Sequence, residues 1–376
     1  MAKQLINKGF NGWAQLGVFL GTMGVGLIAG TMVAAGVWAG MTGQGLLNMQ
    51  HDMLNPQYAT AVKMVQVVTT LFIFFIPAVC YAFICYRNGW LALGFNKSFY
   101  PKIMGLCILL LLVSMPFIET LGLINKSIPI PASSRAYFDS IEKSYEAQVK
   151  VIGDVKTIGQ YLLSLIMIAL LPAIFEETLF RGGLQNLLSR WKNNSFIYIV
   201  AFAILIMAAK SIWLPKLNGW FFYGVLLVLV IILFKSTYIL QKLNTLTNHF
   251  LFPIILTSIL FSAVHASWYG FIPRLALGGL LGLIFYYTNN LGYTILLHFL
   301  NNATVVTYMF INTRQHKPVS TETTETFPWW VAIISIVLLV VLFRVLVKSQ
   351  VEKAPQEVLL SRDNPFDNTI FEGKDN

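Results

Sequence analysis

Residues 161–183 read YLLSLIMIALLPAIFEETLFRGG. The run from Tyr161 to Phe175 carries no charge. Glu176, Glu177 and Arg181 then follow, and the helical apolar pattern continues through Leu184, Leu187 and Leu188. The charges therefore fall inside or at the edge of a helix that is apolar enough for lipid. On insertion scales each ionisable residue at mid-membrane costs about 2.5–3.5 kcal/mol, so three left unpaired would cost roughly 8–10 kcal/mol. Glu177 and Arg181 are one helical turn apart and can offset part of this as an ion pair. Glu176 points about 100° away around the helix, toward a different neighbour. An intramembrane carboxylate without a partner is a functional candidate by default. The plainer alternative is a pair of acids snorkelling at a helix end. Pro172, four residues before Glu176, removes an N–H and loosens the helix just upstream.

The rest of the chain agrees with a membrane setting. Of 376 residues, 56% are hydrophobic and only 11% are charged, which fits one helical membrane domain better than soluble modules. By length and apolar content about ten segments qualify as spans. They lie near 14–41, 64–86, 103–124, 159–181, 195–213, 219–238, 250–268, 272–288, 291–312 and 328–347. The expected fold is an all-α polytopic bundle of about eight to ten spanning helices over residues 1–348, followed by a disordered cytoplasmic tail at 349–376. The net charge of +10 comes from Lys and Arg flanking the apolar runs rather than from a basic face interleaved with aromatics, so nucleic acid is not an expected partner. Arg87, Lys97 and Lys102, then Arg181, Arg190 and Lys192, then Lys235 and Lys242 follow alternate spans. The 42–60 loop has no Lys or Arg, and 125–157 mixes five bases with four acids. The positive-inside rule then places both termini in the cytoplasm, in what is expected to be a bacterial cytoplasmic membrane. Lys3 and Lys8 precede an apolar stretch too long for a signal peptide, which reads as the first span.

Smaller features have ordinary explanations. Cys80, Cys85 and Cys107 lie in apolar segments without metal-site spacing. Gly17/Gly21, Gly26/Gly30 and Gly36/Gly40 in the first span, and Gly278/Gly282 later, are small-xxx-small pairs suited to internal helix packing or, less readily, to a dimer seam. Phe138, Ile141, Tyr145 and Val149 give 128–156 one apolar face, as in a connector helix or a cap on a cavity. His51, His249 and His316 fall in loops or at helix ends. Glu119, Lys63 and Lys210 can snorkel.

Two further histidines lie in apolar runs: His265, in Phe261-Ser-Ala-Val-His265, and His298, one turn before Asn302 on the same helical face. Glu176-Glu177-xxx-Arg181, Phe261-xxx-His265 and His298-xxx-Asn302, in that order on three apolar segments, resemble the motif set of the CAAX prenyl endopeptidase and bacteriocin-processing (CPBP, or Abi) family. The resemblance covers about 161–307. The segment 195–248 departs from the family pattern as an extra helical hairpin that contributes no motif residue.

The resemblance implies an intramembrane endopeptidase acting on a peptide or membrane-protein substrate in the bilayer, with either prenylated CAAX proteins or bacterial peptides as its substrate class. Glu176 would activate water, His265 would help hold it, and His298 and Asn302 would stabilise the oxyanion. Glu177 and Arg181 would fix the helix and orient Glu176. No cofactor is required on this reading. The rival is a zinc ion held by Glu176, His265 and His298. A non-enzymatic immunity or interaction protein and a proton-coupled transporter are the other classes open to the sequence; oligomeric state is left open. Geometry adds one demand. The acid and histidine helices must bring their polar residues to one depth, so helix boundaries should differ from the apolar ranges.

Overall fold

The computed structural model describes residues 5, 7–95, 99–153, 155–191, 198–201, 203–204, 207, 224, 227–228, 250–317 and 327–351. The proposed hairpin at 195–248, apart from scattered positions, and the tail beyond 351 lie outside the described residues, as do Lys97, Lys192, Lys210, Lys235, Lys242 and His249. The fold is an all-α polytopic bundle. Among the described residues seven helices are long and apolar enough to cross a membrane. These are α1 (Gly12–Thr42), α2 (Pro56–Cys85), α3 (Pro101–Ser127), α5 (Ile158–Arg190), α7 (Phe271–Thr288), α8 (Leu291–Arg314) and α9 (Trp329–Ser349). Between them lie the polar helix α4 (Ala132–Gly153) and the short apolar helix α6 (Leu251–Ala263).

Two departures from the apolar ranges matter for the site. The expected span at 159–181 runs on to Arg190, because Leu184, Leu187 and Leu188 keep an apolar face after the charges. Glu176 is thereby moved from a helix end to about 21 Å above the Arg190 end. Conversely, the segment 250–268 is not a full span. Its helix has 13 residues and stops at Ala263, where a turn closes through His265 N–H to Ser262 O and Ala266 N–H to Ala263 O. His265 thus sits on the exit of a half-length helix.

Two of the span prolines follow wide turns. π-Helical turns at Leu71–Phe75 and Leu165–Leu170 immediately precede the segments bearing Pro77 and Pro172. Such turns re-register the hydrogen bonds around a residue that lacks an N–H. A third, Thr178–Gln185, directly follows the two acids.

Packing brings α5 into the middle. One apolar core joins Phe19 of α1, Tyr81 of α2, Leu93, and Leu179 and Leu187 of α5 to Phe261 of α6. Another joins Leu110 of α3, Leu281 and Ile284 of α7, Leu297 of α8 and Leu346 of α9. Helices α6 and α7 form an antiparallel pair: a Cβ added at Gly278 would lie 3.2 Å from Ser258 and 3.3 Å from Phe261, and one at Gly282 would lie 2.9 Å from Ile254. This pair therefore serves internal packing. In α1 the same use is confined to the middle pair, with Gly26 and Gly30 set against Phe72 of α2. Among the described residues, Gly17, Gly21, Gly36 and Gly40 have no heavy atom within 4 Å of an added Cβ.

Candidate active site

The site is built on the central turn of α5. Glu177, fully buried, accepts two hydrogen bonds at Oε1, from Arg181 Nη1 at 2.6 Å and from His298 Nδ1 at 2.9 Å. Arg181, also buried, donates from Nη2 to Gly278 O at 3.1 Å, and one turn on Gln185 Nε2 donates to Gly282 O at 2.9 Å. The two glycines that admit α6 are thus also the carbonyls to which α5 is fastened. A buried carboxylate and guanidinium are each expensive alone in a low-dielectric interior. Here each finds the other, Arg181 adds Gly278 O and Glu177 Oε1 adds His298, while Glu177 Oε2 is buried with no hydrogen-bond partner among the described residues.

Phe261 stands at the centre. Its ring lies 5.1 Å from that of His265 and 5.6 Å from that of His298, both edge-on, and 4.7 Å from the guanidinium carbon of Arg181. It separates the two imidazoles and screens the Arg181–Glu177 pair through a cation–π contact.

Glu176 turns the other way, toward His265. Oε2 of Glu176 is buried and has no hydrogen-bond partner among the described residues. It lies 3.9 Å from Nε2 of His265. His265 Nδ1 is 2.8 Å from Phe261 O, and since a carbonyl only accepts, Nδ1 carries a proton, which in the neutral imidazole leaves Nε2 with a lone pair. Two acceptors therefore face one another at a spacing that suits a bridging water. The exposures divide the cluster: the side chains of His265 and Glu176 are 31% and 11% exposed, those of His298 and Glu177 4% and 0%. His265 is the open side of the cluster, and the Glu177–His298 pair is sealed.

The structure thus gathers Glu176 with His265, and Glu177 with Arg181 and His298. Asn302 follows His298 by one turn on α8. It is half-buried, and its Oδ1 accepts from Asn301 Nδ2 at 3.4 Å. Among the described residues no three His, Cys, Asp or Glu side chains are grouped so as to hold a metal ion, and Glu176, His265 and His298 do not form such a set. Sequence reasoning placed Phe261 only as a motif letter and did not foresee the Glu177–His298 bond, which joins positions 121 apart in the chain. No local pattern encodes a partner at that distance. His51 is exposed and pairs with neighbouring Asp52. Lys63, by contrast, is buried and donates to Ser164 Oγ at 3.0 Å rather than snorkelling.

An acid–histidine cluster enclosed by apolar helices defines a polytopic membrane protein with a polar intramembrane site. The family comparison is more specific: residues 158–240 and 232–304 match the Rce1-like family, described as type II CAAX prenyl endopeptidase Rce1-like. This match, over less than half of the chain but including all three motifs, supports the CPBP/CAAX protease family, and with it a peptidase acting on a peptide or protein substrate. No curated protein and no solved structure matches the chain.

Proposed function

We propose that the protein is an intramembrane endopeptidase that hydrolyses a peptide bond with water activated by Glu176. The observation that carries this reading is the facing pair of acceptors, Glu176 Oε2 and His265 Nε2, 3.9 Å apart. A water between them donates one hydrogen to each, which turns its oxygen lone pairs outward to the substrate carbonyl. As the C–O bond forms, Glu176 takes the proton. Asn302 Nδ2 is assigned to the developing oxyanion, while His298, sealed and with its Nδ1 proton on Glu177, holds α8 in place; its Nε2 lone pair cannot donate. The proton on Glu176 then passes to the amide nitrogen, the C–N bond breaks, and a carboxyl terminus and an amine leave. Glu177 and Arg181 touch neither water nor substrate in this scheme. They hold the helix so that Glu176 faces His265.

One observation favours a second reading, zinc assistance. Both imidazoles bind an oxygen through Nδ1, as metal-ligating histidines commonly do. The separation of His298 from Glu176 by the Glu177 bond argues against it, and the water scheme above needs no metal.

The test is cleavage of a membrane-inserted peptide by purified protein in liposomes prepared in ¹⁸O-water. Hydrolysis places one ¹⁸O in the new carboxyl terminus. Binding of the peptide without cleavage would instead support the immunity or interaction reading, and peptide-independent proton flux would support a transporter.

A further inference from the structure

The loop 264–270, which carries His265 from α6 to α7, takes its shape from helices outside the motif region. Asn125, near the end of α3, is 1% exposed. Its Nδ2 donates to Trp268 O at 2.8 Å and its Oδ1 accepts from Ile272 N–H at 2.7 Å. One amide thereby satisfies a carbonyl within the loop and one of the N–H groups that the first turn of α7 leaves unpaired. Helix α4 adds outer ties. Ser267 Oγ donates to Glu142 Oε2 at 2.9 Å, Tyr269 OH donates to Asp139 Oδ1 at 2.7 Å, and Phe138 lies 5.3 Å from Trp268. From below, Arg274 Nη2 donates to Ser267 O at 2.9 Å.

The loop needs such support. Ala266, next to His265, sits at φ 51°, a left-handed conformation that a residue with a Cβ holds only where its surroundings impose it.

We infer that Asn125 is a positioning residue for catalysis: it clamps both sides of the loop so that His265 Nε2 is held against Glu176 Oε2. Asn125 touches neither reacting group and acts through the backbone of Trp268 and Ile272. The inference rests on the peptidase reading for its kinetic consequence but not for the clamp itself. It places part of the catalytic geometry in α3, outside residues 158–304 that match the family, with Asp139 and Glu142 of α4 as outer supports.

The experiment pairs kinetics with amide exchange on full-length Asn125→Ala in liposomes, with Tyr269→Phe as a milder variant that loosens only the outer tie. Displacing a catalytic group by about 1 Å can cost on the order of 100-fold. Asn125→Ala is accordingly expected to lower kcat by roughly 10- to 100-fold with KM little changed, and Tyr269→Phe to lower it less. Exchange at the Ile272 amide and across 264–272 should rise roughly tenfold, while peptides from α1, α2 and α8 keep wild-type protection. Unchanged kcat with unchanged Ile272 exchange would overturn the inference. So would a rise in exchange spread evenly through the chain, which would make Asn125 a residue of general stability. If the wild type cleaves nothing, the peptidase reading fails, and exchange at Ile272 still decides whether the clamp exists.

Discussion

His298 Nδ1 donates to Glu177 Oε1 across 2.9 Å, closing α8 onto α5 at the point where Arg181 also binds the same oxygen. Removing Glu177 leaves the buried Arg181 guanidinium without its counter-charge and His298 Nδ1 without its acceptor. Glu177→Ala should destabilise the protein by about 3–5 kcal/mol, measured by reversible unfolding in mixed micelles. The double change Glu177→Leu with Arg181→Met should cost clearly less than the two single changes added together, because it removes both charges. Additive losses would mean the two side chains do not depend on each other.

The glycines of α1 should separate by context. A methyl on Gly26 would run into the Phe72 carbonyl and Pro77, whereas Gly17 and Gly36 have open space among the described residues. Gly26→Ala is expected to cost about 1–3 kcal/mol through overpacking, while Gly17→Ala and Gly36→Ala stay within about 0.5 kcal/mol. Thermal unfolding of the three variants decides the point, and equal effects at all three would refute the assigned packing face.

Metal removal discriminates the two hydrolytic readings. Dialysis against a chelator should leave turnover unchanged and metal content low. Loss of turnover that zinc restores, together with loss of bound zinc in His265→Ala or His298→Ala, would move the assignment to the zinc mechanism.

Orientation is tested by reporters. The distribution of Lys and Arg predicts a cytoplasmic signal for a fusion after Gln350 and an external one for an insertion at Asn55. An external signal after Gln350 would reverse the bundle.

What the sequence disclosed and what it withheld follow from the range of each interaction. Helix class, most spans and the ion pair of Glu177 with Arg181 were legible, because apolar length and i, i+4 spacing are local. The internal use of Gly278 and Gly282 was legible for the same reason. The early end of α6 was not. Residues 264–268 are apolar enough to extend a span, and it is the turn at Ser262–Ala266 that ends the helix, with Asn125 of α3 holding the loop beyond it at Trp268 and Ile272. The extension of α5 beyond Arg181 was only half legible, because the apolar stripe through Leu188 was visible while the charges beside it suggested a terminus. The Glu177–His298 bond and the clamp on the His265 loop join distant positions, and one chain carries no local trace of such pairs.

The central claim is that Glu176 activates water, and Glu176→Gln tests it most directly. Glutamine keeps the size and much of the hydrogen bonding of the side chain but cannot take a proton from water. In liposomes, with a peptide the wild type cleaves, the variant should fold and insert normally while turnover falls by at least ~100-fold. Turnover equal to that of the wild type would contradict the account.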